Sequence, residues 1–153
     1  EVFPDIDRIN KTHRKIMAAE MAINHEKWFK EYKDLYRTGT ADIIRKGAEV
    51  SNSELRSLKP SKKKLRERLC ELMDDKGIDL WAAPAAPGPA PKGIDSTGDP
   101  IMNLPWTHSE LPTIALPAGK SSKGLPMGIQ FAARFMEDES LVRWARDLES
   151  VLG

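Results

Sequence analysis

Apolar side chains recur at helical spacing from about Asp5 to Tyr36, at Ile6, Ile9, Ile16, Met17, Met21, Ile23, Trp28 and Leu35. A stripe at three- and four-residue intervals predicts a helix with one buried side. Neither glycine nor proline interrupts the run before Gly39. Thr40 and Asp42 then open a second helix with Ile43, Ile44 and Val50 as its apolar face, and Ser51 and Ser53 read as loop. Ser61 suits the cap of a third helix, in which Leu65, Leu69, Leu72 and Met73 share a side and Gly77 marks the stop. After Gly77 the period changes: short apolar runs bounded by proline and glycine read as strands. The pattern predicts helices over 6–36, 41–50, 61–76 and 139–152, and strands over 79–83, 113–117 and 127–133. The strands are near-continuously apolar, as suits strands covered on both faces.

Composition divides the chain where the period changes. Residues 1–76 hold two glycines and two prolines and carry a net charge of +4; residues 77–153 hold eight glycines and nine prolines and carry −3. The first part reads as a helical segment and the second as a strand–loop–strand–helix segment, together one domain or part of one. With 24 basic against 23 acidic residues, the chain is no polycation built for nucleic acid. One cysteine makes no internal disulfide, and with three histidines gives too few ligands for an ordinary Cys/His zinc site. No apolar run approaches the roughly 18 residues that a membrane span needs, and the first residues lack the basic start and apolar stretch of a signal peptide. A reducing, cytoplasmic setting is the expectation. The missing initiator methionine points to a processed chain or a piece of a longer one.

Several groups invite a chemical reading. Lys62-Lys63-Lys64 with Arg66 and Arg68 resembles a phosphate-binding face, but interleaved Glu67 and Glu71 and the apolar Leu65, Leu69 and Leu72 mark the wet side of an amphipathic helix. His108-Ser109-Glu110 puts a base, a nucleophile and a carboxylate side by side, whereas working triads gather from distant segments. Lys120-Ser121-Ser122-Lys123 lies between two strands before Gly124 and reads as a hairpin tip. His13 and His25 are too far apart along a helix to share a metal, and Cys70 sits on an apolar helix side. The stretch 84–106 is different. Residues 84–100 hold five prolines and three glycines, and loops this long inside a compact domain are usually functional. From its residues it is either a pocket wall or an ordered surface connector.

In this half the residues carry a resemblance. Asp79-Leu80-Trp81-Ala82-Ala83-Pro84-Ala85, Ser96-Thr97-Gly98-Asp99-Pro100 and Pro105-Trp106-Thr107 follow one another in order. Leu111-Pro112-Thr113-Ile114-Ala115-Leu116-Pro117-Ala118-Gly119 and Gly124-Leu125-Pro126-Met127-Gly128-Ile129-Gln130-Phe131 come next, and Asp138-Glu139-Ser140-Leu141 opens the closing helix. The series resembles the C-terminal part of the amidase signature family, serine hydrolases that include stand-alone amidases and the A subunit of the glutamyl-tRNA amidotransferase. Two departures stand out: Glu110 replaces the family's usual glycine, and no Gly-Gly-Ser-Ser-like stretch exists in the chain. The resemblance therefore implies an α/β fragment of the amidase signature fold, with helices and a small mixed sheet that extends a larger mixed sheet in the intact enzyme. It implies that the serine–serine–lysine machinery lies upstream of Glu1 and that this chain holds no catalytic residue, metal or cofactor. Asp99, Met102, Trp106 and Thr107 would line the pocket of a small-molecule amide, with Asp99 either orienting the substrate or capping the turn before Pro100. The upstream portion of the same amidase is the expected partner, with neither nucleic acid nor membrane. Bared apolar surface adds self-association, as a homodimer by strand-edge pairing or helix exchange. Two other readings compete: a non-catalytic amidase-like binding module, and a nucleic-acid-associated helical domain built on the Lys62–Arg68 face.

Overall fold

The computed structural model describes residues 2–152 and divides them into two compact units, one ending at Ser61 and the other beginning at Lys62. The compositional break at 76/77 and this packing break differ. The helix over Pro60–Lys76 resembles the first part in composition, yet all but its first two residues pack within the second unit.

The first unit is helical: α1 (Ile6–Tyr32), α2 (Thr38–Ala48) and α3 (Asn52–Leu58), with a 3-10 turn over Lys33–Leu35 where continued α-helix was expected. Ile9, His13, Ile16 and Ala19 are the buried stripe of α1, and its later apolar residues are not part of it: Trp28 is 60% exposed and Leu35 82%. Ile16 and Ala19 pack with Leu55 of α3, with Val50 and Leu58 beside them. The serines at 51 and 53 belong to a helix rather than a loop. Ser51 caps α3 by accepting the Glu54 backbone N–H at 3.1 Å, and the Ser51-x-x-Glu54 spacing is the capping-box signal that the loop reading passed over. Ser61 is no cap: its hydroxyl donates to the Leu58 carbonyl, and the next helix starts at Pro60.

The second unit holds α4 (Pro60–Lys76) from Lys62 onward, with β1 (Trp81–Pro84), α5 (Leu104–Ser109), β2 (Thr113–Lys120), β3 (Pro126–Ala132) and α6 (Asp138–Leu152). The strands form one sheet in the order β1-β3-β2. Both pairings are antiparallel, where a small mixed sheet was expected; the short turn that joins β2 to β3 permits nothing else for that pair. Alternation along β3 divides the labour of its two faces. Phe131 and Ala133 form a core with Leu116, Leu141 and Ala145, and Ile114, Ile129, Trp144 and Leu148 pack against it, so α6 covers this face. Arg134, just beyond β3, donates to the Asp74 carboxylate at 3.1 Å and to the Ile78 carbonyl at 2.8 Å, which holds the end of α4 to the sheet.

Helix α2 supplies a matched pair of glycines. A Cβ on Gly47 would lie 1.8 Å from the backbone oxygen of Ala18, so α1 and α2 meet there without side chains between them; at Gly39 an added Cβ meets nothing within 4 Å. Gly47→Ala is expected to cost about 3 kcal/mol through overpacking, and Gly39→Ala to add about 0.5 kcal/mol through reduced chain entropy. Urea unfolding midpoints of the two variants measure both.

Candidate functional site

The long connection after β1 folds back over the strands. Its first residue, Ala85, donates to the Gly128 carbonyl at 3.0 Å and so prolongs the β1–β3 pairing by one bond. Between there and Asp99 the chain has neither helix nor strand. Gly98 adopts φ 93, a conformation that disfavours a side chain, and the chain turns there beside the Pro91 ring, 3.8 Å from where a Cβ would sit. The loop and the start of β3 line an open cavity of about 410 Å³, bordered by residues 86–91, 97–99 and 126–128.

From Pro100 onward the chain is more regular than a loop. Pro100–Met102 form a 3-10 turn, and α5 comes directly after it. The prolines start these elements rather than break them: Pro100 opens the turn and Pro105 lies in the first turn of α5, where a missing N–H costs nothing. Asp99 caps the turn, its Oδ1 accepting from the Ile101 N–H at 3.0 Å, and it also borders the cavity. Met102 is half-buried, and its carbonyl accepts from Gln130. Trp106 is 5% exposed on α5, and Thr107 is exposed with its hydroxyl on the Asn103 carbonyl. Of the four residues proposed from sequence, Asp99 lines this cavity, and Met102, Trp106 and Thr107 lie just after it along the chain without lining it. Gln130 was not singled out, although a lone amide in the apolar run Ile129-Gln130-Phe131-Ala132 was the signal.

The residues 108–110 do not converge. Ser109 is fully buried, and its hydroxyl donates to the carbonyls of Pro105 and Trp106, so it is occupied in closing α5. Glu110 ends that helix in the left-handed region, at φ 60 and ψ 28. Its carboxylate pairs with Lys62 and Arg66 of α4, and the Arg66 guanidinium lies 4.0 Å from the centre of the Phe135 ring. Partial burial alone would raise the Glu110 pKa; the hydrogen bonds and charges of Lys62 and Arg66 outweigh it and hold the carboxyl below its ordinary value. The basic face is thus partly consumed within the fold, since Lys63 also pairs with Glu67. Ser121 shapes the β2–β3 turn by accepting the Leu125 N–H.

The family model described as Amidase matches residues 6–142. The A subunit of glutamyl-tRNA(Gln) amidotransferase from Wolinella succinogenes is 38% identical over 85 residues, 51% of this chain and 19% of that protein. The same subunit from Trichormus variabilis is 32% identical over 77 residues, 46% of this chain and 16% of that protein. Among solved structures, an amidase gives a TM-score of 0.85 at 24% identity, covering 97% of this chain and 36% of the other. Fatty acid amide hydrolase gives 0.80 at 14% identity, covering 98% and 32%. At these identities the structural likeness speaks for the fold. The chain spans about a fifth of the curated relatives it matches and about a third of the solved ones.

Glu110 allows a direct separation of strain from charge. Glu110→Gly removes the ion pairs and relieves the left-handed strain, whereas Glu110→Ala removes the pairs and keeps the strain. The alanine variant is expected to be less stable than the glycine variant by about 1 kcal/mol. Because the folded carboxyl titrates below its ordinary value, its contribution is present above pH of about 4.3 and fades as pH falls through the folded pKa. Chemical denaturation of wild type and Glu110→Gln between pH 7 and pH 3 should show their difference shrinking toward the acid end.

Proposed function

The chain belongs to the amidase family, and we propose that it forms the C-terminal portion of a carboxamide hydrolase, supplying part of the substrate-pocket wall while the nucleophile comes from the upstream portion. The observation that carries this reading is the cavity under the 85–99 loop, at the start of β3. The match to about a third of each solved relative supports a longer parent, and two of those relatives are named for amide hydrolysis or as amidase. Of the residues that line the cavity, Asp99 alone ionises, and prolines, alanines and glycines supply most of the rest. Such a surface suits an uncharged acyl group of a linear amide, with Asp99 orienting a donor through its remaining lone pairs. Met102 and Thr107 continue the wall along the chain, and Trp106, buried on α5, holds that segment from inside.

The Ser109 hydroxyl, donated to two backbone carbonyls, and the Ser121 hydroxyl, which accepts a turn N–H, support the absence of a nucleophile here, since an attacking serine needs a base within hydrogen-bond reach. The outer edges of β1 and β2 have no strand partner among the described residues. In the parent they take up the rest of the sheet; in isolation they favour a second copy of the chain. We place the parent in the cytoplasm, and among the described residues no helix is long and apolar enough to cross a membrane.

Purified alone, the chain is expected to turn over neither aliphatic nor aromatic amides, and to gain activity when joined to its upstream portion. Turnover by the chain alone that is lost in Ser109→Ala, Ser121→Ala or Ser122→Ala would overturn the reading. In the joined enzyme, Asp99→Ala should change kcat/KM unequally for small and bulky amides; one common factor for all of them would remove Asp99 from the pocket.

A further inference from the structure

We infer that Gln130 is the positioning residue of the pocket wall: one buried carboxamide ties the beginning and the end of the 85–102 segment to the central strand. For its function the inference rests on the pocket reading above; the tie itself rests on geometry.

Gln130 is 4% exposed on the strand that has neighbours on both sides. It lies opposite Ala83 on β1 and Ala115 on β2, on the face that α6 does not cover. Its Nε2 donates to the Pro84 carbonyl at 3.0 Å and to the Met102 carbonyl at 2.8 Å. A carboxamide nitrogen has two hydrogens, and here each meets a different carbonyl. The assignment of the amide is unambiguous, because its oxygen has nothing to donate to either one. Pro84 is the last residue of β1 and Met102 the last of the 3-10 turn, so the two bonds close the whole excursion of the chain between them.

Gly128, two residues earlier on the same face, completes the attachment. Its carbonyl accepts from Ala85, and a Cβ there would come within 3.2 Å of the Ala85 Cβ and 3.4 Å of the Leu116 oxygen. Gly128 also lines the cavity with Met127 and Pro126. The strand that floors the cavity therefore holds both ends of its wall. A side chain that merely filled core volume would need no donor; this one supplies two, to carbonyls 46 and 28 residues away.

Gln130→Met keeps the length and removes both donors, and Gln130→Glu keeps the shape and sets oxygens against oxygens. In either variant of the full chain, hydrogen exchange of the Ala85, Ile101 and Asn103 amides should quicken about tenfold. Tryptic cleavage after Lys92, the one lysine or arginine between residues 77 and 119, should quicken likewise. Amides of the β2–β3 ladder and of α6 should keep their wild-type rates. Uniform acceleration across the second unit would make Gln130 an ordinary core residue and overturn the tie, as would an unchanged loop. If neither variant folds, Gln130→Asn, one methylene short of reaching both carbonyls, carries the same comparison. In the joined enzyme, Gln130→Met should raise KM with kcat kept. Selective loosening with unchanged KM leaves the tie standing and overturns the pocket reading instead.

Discussion

β3 is the strand with hydrogen-bonded neighbours on both sides, and the other parts of the second unit take their places from its register. Because successive side chains point to opposite faces, Ile129, Phe131 and Ala133 face α6 while Gly128, Gln130 and Ala132 face the other way. A slip of one residue would put an amide into the apolar core and a phenylalanine under the loop. The burial of Phe131 and the short 121–125 turn both oppose that slip. The register that builds the α6 core is therefore the same one that aims Gln130 at Pro84 and Met102. Stability and the placement of the loop share a cause here.

The elements legible in the sequence are those whose own side chains decide them. The stripe of Leu65, Leu69 and Met73 marks α4, that of Leu141 and Ala145 marks α6, and the apolar runs mark the three strands. Two of the elements that escaped, α3 and the 3-10 turn at 100–102, are decided by hydrogen bonds at their ends. Helix α3 starts on the Ser51 cap, and the 3-10 turn starts on the Asp99 cap with a proline just inside it. Serine, aspartate and proline are easily counted as loop formers because the same groups both begin helices and make turns. The order of motifs identified the family, yet a resemblance in sequence places residues along a chain and not around a cavity. Thus Asp99 reached the cavity, while Trp106 is buried on α5. The later part of the α1 stripe is a different case. Trp28 and Leu35 have the right spacing and remain exposed, because periodicity reports which side is apolar and not whether anything covers it.

Glu110 shows local preference yielding to the wider fold. The end of α5 requires a left-handed residue, where glycine is the unstrained choice. Glutamate accepts the strain, and in return its carboxylate meets two cations of α4, one of them stacked on Phe135. At 43% exposure of the side chain, solvent screens those pairs, so their net worth is small and of the same order as the strain. The exchange nonetheless draws three separate segments together: α4, the end of α5 and the turn after β3. It also removes charge from the run at 62–66, which is why a sequence that suggests a phosphate-binding face folds into one that is partly neutralised from within.

The composition of the 84–102 segment agrees with being held at its ends. Closing a flexible loop costs entropy that grows only with the logarithm of its length, so a long loop is scarcely harder to close than a short one. What a long loop lacks is internal order, and prolines at 84, 87, 89, 91 and 100 supply it by fixing φ and narrowing the unfolded ensemble. A chain stiffened in this way transmits a constraint from its ends to its middle, where a glycine-rich chain would not. The two hydrogen bonds of Gln130, with the Ala85 bond to Gly128, then fix the ends of a segment that has no helix or strand between Ala85 and Asp99. The stiffness has a converse. Prolines donate no backbone hydrogen bond, so the middle of the loop cannot be secured by a ladder, and its order depends on where its two ends are fixed.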